Sequence, residues 1–204
     1  MKTIFKAGLL MQGTENYRIA QPREGSQLIA FPSLTDAHFN HSVVEIIDYV
    51  PTGETLGLVL NRTTPLTLDK AIDGIKPGLK IPVFAGGPVG ADRLIFMHTL
   101  GDAFNNATAI APGLFVGGDL DDVVNYINAG YPIEGSIRFF VGYSGWSPGQ
   151  LKSEIHTDSW IVAQPLSNSE ILTLTDDNMW HTAVKRLGEE FREWQRMPMH
   201  PIFN

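Results

Sequence analysis

The chain reads as an α+β protein. Runs of strand length rich in Val, Ile, Leu and Phe outnumber the helical patterns, and none of them recurs at the fixed period of a repeat protein. With 43% hydrophobic and 18% charged residues, the composition suits a packed core rather than a disordered segment. At 204 residues the chain is sized for one domain.

Residues 1–25 read as an N-terminal extension closed by the punctuation Gln21-Pro22-Arg23-Glu24-Gly25, and residues 26–204 as a single domain. The apolar run Ala7 to Met11 is shorter than a secretory h-region, and no run reaches transmembrane length. Strands are expected at Gln27 to Phe31, Ser42 to Val50, Thr55 to Leu60, Ile81 to Ala85, Leu94 to Thr99, Leu114 to Gly117, Ser136 to Gly142 and Trp160 to Gln164. The second and third form a hairpin around Pro51-Thr52-Gly53-Glu54.

Helices follow from their end signals. Thr67 caps Leu68 to Asp73, and Asp119 caps a helix whose stripe is Leu120, Val123, Val124 and Ile127, with Gly130 as its stop. Ser147-Pro148-Gly149-Gln150 has the form of a capping box that starts a helix running to about His156. A last helix near Asn178 carries the seam Trp180, Val184, Leu187, Phe191 and Trp194, which covers the protein's own core.

Composition limits the chemistry. Without cysteine there are no disulfides, thiolate nucleophiles or iron–sulfur ligands, and a reducing compartment is the natural home. Net charge is −7, and outside residues 1–25 and 180–204 seven basic residues face seventeen acidic ones. Such a body repels a phosphate backbone, so direct nucleic-acid binding is disfavoured. The N-x-S/T triplets at Asn40, Asn61 and Asn106 read as accidental.

Four local patterns invite a chemical reading. His38, His41 and Glu45 would align on a helix, but the segment is strand-like and no metal is expected. Gly142-Tyr143-Ser144-Gly145-Trp146 lacks the final glycine of a nucleophile elbow and reads as a tight turn. Gly117-Gly118-Asp119 feeds a helix start whose carboxylates exclude a phosphate. Gly86-Gly87-Pro88 could present backbone N–H groups to a carboxylate, with Arg93 as the nearest cation, although a structural turn explains it as well.

Taken in order, Leu28 to Leu34 with Phe39 and Ser42-Val43-Val44, Gly57 to Arg62, Gly86-Gly87-Pro88-Val89, and Gly142 to Leu151 resemble the YqgE/AlgH family of bacterial proteins. The resemblance covers residues 22–188. It implies a cytoplasmic α+β domain in which a bifurcated mixed β-sheet with a small barrel is surrounded by helices. It implies no catalytic residues and no cofactor, and family members often have Ala at the position of Ser144. One branch is named as a transcriptional regulator of alginate synthesis, although the family fold has no recognised DNA-binding motif.

Three functions remain to compare. The first is a non-enzymatic regulatory or adaptor protein, away from membranes, in which Asn61, Arg62, Gly86, Gly87, Arg93, Tyr143, Trp146 and Gln150 gather around one groove for a protein segment or small ligand. The second is a hydrolase using His98, Asp92 or Ser144, and the third is a DNA-binding transcriptional regulator.

Overall fold

A computed structural model describes residues 21–197. Among these the chain forms ten strands: β1 Gln27–Ala30, β2 Val43–Tyr49, β3 Thr55–Val59, β4 Thr63–Thr67, β5 Pro82–Ala85, β6 Val89–His98, β7 Thr108–Ala111, β8 Leu114–Val116, β9 Ile137–Trp146 and β10 Trp160–Ala163. The α-helices are α1 Leu68–Ala71, α2 Leu120–Asn128, α3 Gln150–His156, α4 Asn168–Thr173 and α5 Asp176–Leu187, and a 3-10 segment follows at Glu189–Arg196. The α+β class holds.

The strands join in one open sheet of order β10-β1-β2-β3-β9-β6-β8-β7, from which the pair β4-β5 branches. The branch is made along one edge of β9. Its first half pairs in parallel with β5, from Val83 opposite Phe139 to Ala85 opposite Val141. Its last residues pair antiparallel with β3, from Gly57 opposite Ser144 to Thr55 opposite Trp146. The other edge of β9 pairs with β6 from Ile137 to Tyr143, across a register shift between Val89 and Leu94, so the sheet is mixed and bifurcated, as the family resemblance implies. The sheet also curls: a Cβ on Gly25, just before β1, would lie 2.7 Å from the carbonyl oxygen of Ile110 in β7, although the two strands do not pair.

Three buried clusters fill the layers. One lies inside the curl under α5, where Ile29, Val43, Leu58 and Phe140 meet Trp180, Val184, Leu187, Phe191 and Trp194. The seam therefore covers the protein's own core, and Trp180 Nε1 donates to the carbonyl of Ala30 at 2.9 Å. Gly188, at φ +135°, ends α5 and lets the seam continue on the 3-10 segment. The opposite face of β1, β2, β3 and β10 packs on α3 through Trp146, Leu151, Ile155 and Trp160. The third cluster joins β5, β6 and β9 to α1 and α2.

Several helix starts differ from expectation. Pro148 and Gly149 form a turn, with Gly149 left-handed at φ +80°, so α3 begins only at Gln150 and the Ser147 hydroxyl makes no cap. Gln150 Oε1 still accepts from the Ser147 N–H at 3.0 Å, which is half of the expected box. The complete capping box is at α4, between Ser167 and Glu170. Thr67 does not cap α1, because its hydroxyl is bonded to the Asp69 carboxylate. Asp119 does not cap α2, because its carboxylate accepts from Asn106 Nδ2. Of the α2 stripe, Val123 and Ile127 are buried but Leu120 is exposed. Two strands escaped the sequence reading: β4 contains Pro65, which strand edges alone tolerate, and β7 is half alanine.

Ser167→Ala should therefore lower the unfolding free energy by about 1 kcal/mol, whereas Ser147→Ala should leave it within a few tenths. Urea denaturation of the two variants decides it: a larger loss for Ser147→Ala would contradict the assignment of the caps.

Candidate functional site

Gly86, Gly87, Tyr143 and Ser144 meet where β9 changes partner. The N–H of Gly86 donates to the Val141 carbonyl at 2.9 Å, while its own carbonyl accepts from Val59 N at 2.8 Å and from Ser144 Oγ at 3.1 Å. With its amide so engaged, Gly86 has no N–H for a ligand. A Cβ on Gly86 would stand 2.3 Å from the carbonyl oxygen of Gly142, and one on Gly87 would stand 2.3 Å from that of Tyr143. Gly142 is left-handed at φ +70°, yet residues 143–146 continue as strand rather than as the expected tight turn. Arg93 lies exposed in β6, where the register shifts between Val89 and Leu94.

Asn61 and Arg62 form a separate fastening at the far end of β3. The Asn61 side chain accepts from Val43 N at 3.1 Å and donates to the carbonyls of His41 at 2.9 Å and Asp176 at 3.0 Å, which joins β2, β3 and α5. It is buried. Arg62 is half-buried, and its guanidinium donates to the carbonyl of Asn40.

Trp146 lies on the opposite face of β9 from Tyr143 and packs in the cluster beneath α3. Its Nε1 donates to Glu154 Oε2 at 2.8 Å, as does Trp160 Nε1, also at 2.8 Å, and the exposed Gln150 donates to the other oxygen, Oε1, at 2.9 Å. Glu154 thus ties α3 to two strands. Of the residues expected in one groove, Tyr143 and Trp146 thus lie on opposite faces of the sheet.

The hydrolytic set does not assemble. His98 is buried among Phe96, Phe104 and Phe115, where Nδ1 accepts from Leu100 N at 3.3 Å and Nε2 donates to the Gly117 carbonyl at 3.1 Å. Burial pushes its pKa down, and the Gly117 hydrogen bond opposes that shift. His98 stands opposite Ile137, and Ser144 is seven residues further along β9, so the two lie roughly 20 Å apart at strand spacing. Ser144 is buried, and Asp92 is exposed on the β6 irregularity. Among the described residues no cluster of three His, Asp or Glu could hold a metal. His41 packs edge-on against Trp180, and His38 is exposed beside Asp36.

Two charges prove to be buried: Glu45, considered in the sequence only beside His38 and His41, and Arg138, which the sequence reading left unremarked. Glu45 in β2 is 1% exposed, lies in register beside Gln27, and has no hydrogen-bond partner for Oε2 among the described residues. Burial raises its carboxyl from 4.5 to about 8, partly offset by a hydrogen bond with the Gln27 side chain. Arg138 in β9 donates to the carbonyls of Leu60 at 2.9 Å and Leu174 at 2.7 Å and lies over the Phe84 ring, 4.3 Å from its centroid. The signal available was a single charge inside an apolar strand, as in Val43-Val44-Glu45-Ile46-Ile47 and Ile137-Arg138-Phe139-Phe140.

The surface offers a groove of about 280 Å³ between the β2–β3 hairpin and α3. Tyr49, Val50 and Pro51 of the hairpin, Leu151 and Ile155 of α3, and Ser147 and Gly149 line it, together with Gln21 and Pro22 from the segment before β1. Lys152 and His156 supply the basic groups.

This architecture defines a class: an α+β protein whose mixed sheet forks along one long strand, with a groove near each end of that strand and with His98 and Ser144 held apart along it. The AlgH-like family model matches residues 27–192, and the chain belongs to that family. It is similar to the UPF0301 proteins of Parabacteroides distasonis, 39% identical over 90% of this chain and 92% of that one, and of Bacteroides thetaiotaomicron, 37% identical over the same shares. The solution structure of the AlgH protein from Pseudomonas aeruginosa superposes with a TM-score of 0.67 at 27% identity, covering 83% of this chain and 92% of that one. A crystal structure from Corynebacterium diphtheriae shares the fold at TM-score 0.69 and 22% identity, over 86% and 93% of the two chains.

Glu45 makes stability depend on pH. Because its folded pKa lies above the ordinary value, the folded state keeps a proton that the unfolded state loses, and stability falls by up to about 1.4 kcal/mol per unit as pH rises from 4.5 to about 8. Glu45→Gln should flatten that slope and be the more stable protein at pH 8, with the difference shrinking towards pH 4. Parallel stability curves for the two proteins would contradict the burial of an uncompensated carboxyl.

Proposed function

We propose that the protein is a non-enzymatic regulatory or adaptor protein of the cytoplasm that holds a protein segment in the groove between the β2–β3 hairpin and α3. The observation that carries the reading is the groove's chemistry. Apolar side chains of Tyr49, Val50, Pro51, Leu151 and Ile155 line it beside two basic groups, and Val50 is 47% exposed. Rigid apolar area with a few placed charges suits recognition of a segment better than bond chemistry. The motif Trp146 to Gln150 serves this surface indirectly, since Glu154 fixes Trp146, Trp160 and Gln150 and so holds α3 against the sheet.

The separation of His98 from Ser144 weighs against the hydrolase reading. No helix among the described residues is long and apolar enough to cross a membrane. A transcriptional role of the kind the resemblance suggests for one branch would, on this reading, act through a protein partner, because the acidic body repels DNA.

A photo-crosslinking residue placed at Val50 of the full chain tests this in the producing cell. It should give a discrete protein adduct that Ser147→Trp, which fills the groove, removes, while the same probe at the equally exposed Leu120 gives none. Absence of an adduct at Val50, or persistence of it in Ser147→Trp, would sink the reading.

A further inference from the structure

A second groove, of about 320 Å³, opens between β5, the start of β9 and the junction of α4 with α5. Its walls include Ile81, Phe84 and Leu172, and the exposed Lys80 and Glu134 stand at its mouth. The buried charge that lines it is Arg138, only 4% exposed.

Arg138 is under-compensated for a buried cation. A guanidinium has five N–H donors, and the two protein acceptors here, the carbonyls of Leu60 and Leu174, are neutral. The Phe84 ring adds a weaker attraction. Among the described residues no carboxylate stands within ion-pair distance of it. Asp176, whose charge is felt at Arg138, is exposed and bonded to the Thr63 hydroxyl instead. A buried charge of this kind is costly until an anion meets it.

The groove's surroundings narrow the anion. Among the lining residues Lys80 and Glu134 offset each other, and Asp176, outside the lining, offsets part of the charge of Arg138, so the groove carries at most one positive charge, which suits a monoanion over a polyphosphate. The walls are mainly apolar, and a space of this volume takes a ring-sized body. Planar guanidinium matches planar carboxylate. We infer that this groove binds a small monocarboxylate with an apolar body, its carboxylate paired with Arg138 and its body against Phe84 and Leu172. The site is separate from the hairpin–α3 groove and stands whether or not that groove binds a protein segment.

Benzoate serves as the probe, with benzyl alcohol as its uncharged counterpart, in an amide chemical-shift titration of the full chain. Benzoate should give saturable shifts at Leu172 to Thr175 and Ile133 to Arg138, with benzyl alcohol about tenfold weaker or more. Thr173→Trp, an exposed change at the groove wall, and Arg138→Gln should each abolish the benzoate response. Where Arg138→Gln fails to fold, Thr173→Trp and the alcohol comparison decide the matter. Equal affinity for the alcohol, no saturable shift at these residues, or an unchanged response in Thr173→Trp would overturn the assignment.

Discussion

Backbone meets backbone at the fork of the sheet, and the rest of the molecule is arranged around that approach. Gly86 gives its N–H to β9 and its carbonyl to β3, so it is the residue at which β5 leaves the edge of β9 and β3 takes over. Gly86, Gly87 and Gly142 lie so close to opposing carbonyls that a methyl group at any of them would come within 2.7 Å of an oxygen. A side chain there would push the two halves of the sheet apart, and both neighbouring hydrogen bonds would be lost with it.

The placement of the chemical groups follows from the length of β9. Because one strand belongs to both halves of the sheet, His98 and Ser144 flank opposite ends of it and cannot cooperate. Alternation along the same strand sends Tyr143 to the core beneath α5 and Trp146 to the core beneath α3. The two grooves inherit this division. One lies beside α3 at the Trp146 end, and the other uses Arg138 near the beginning of the strand. Asn61 closes the arrangement by joining the starts of β2 and α5 to the end of β3.

Much of the fold was legible because its strands are built from residues whose pattern survives the tertiary context. The eight expected strands all form, and the five-residue seam from Trp180 to Trp194 is buried throughout. The cap assignments failed where a side chain had a competing partner that only the tertiary structure supplies: Asn106 for Asp119, and a left-handed Gly149 in place of Ser147. The Ser167 to Glu170 box was readable in principle, since its residue types and spacing are those of the motif. The motif glycines could be seen but not interpreted, because a turn and a close crossing of strands make the same demand for a missing Cβ. Convergence on one groove could not be read from residue types, since period-two alternation assigns Tyr143 and Trp146 to opposite faces once residues 143–146 are strand rather than turn.

The central claim is that close approach at the fork, rather than ligand recognition, accounts for the glycine motif. Equilibrium urea unfolding of Gly87→Ala beside Gly145→Ala tests it most directly. Gly145 is the control because it lies in β9 two residues beyond Tyr143, whose carbonyl Gly87 approaches, has an ordinary φ and leaves its would-be Cβ no closer than 3.6 Å to a neighbour. The account predicts that Gly87→Ala loses about 3 kcal/mol or more, or fails to fold, while Gly145→Ala stays within about 1 kcal/mol of the parent. Equal midpoints for Gly87→Ala and the parent protein would contradict it.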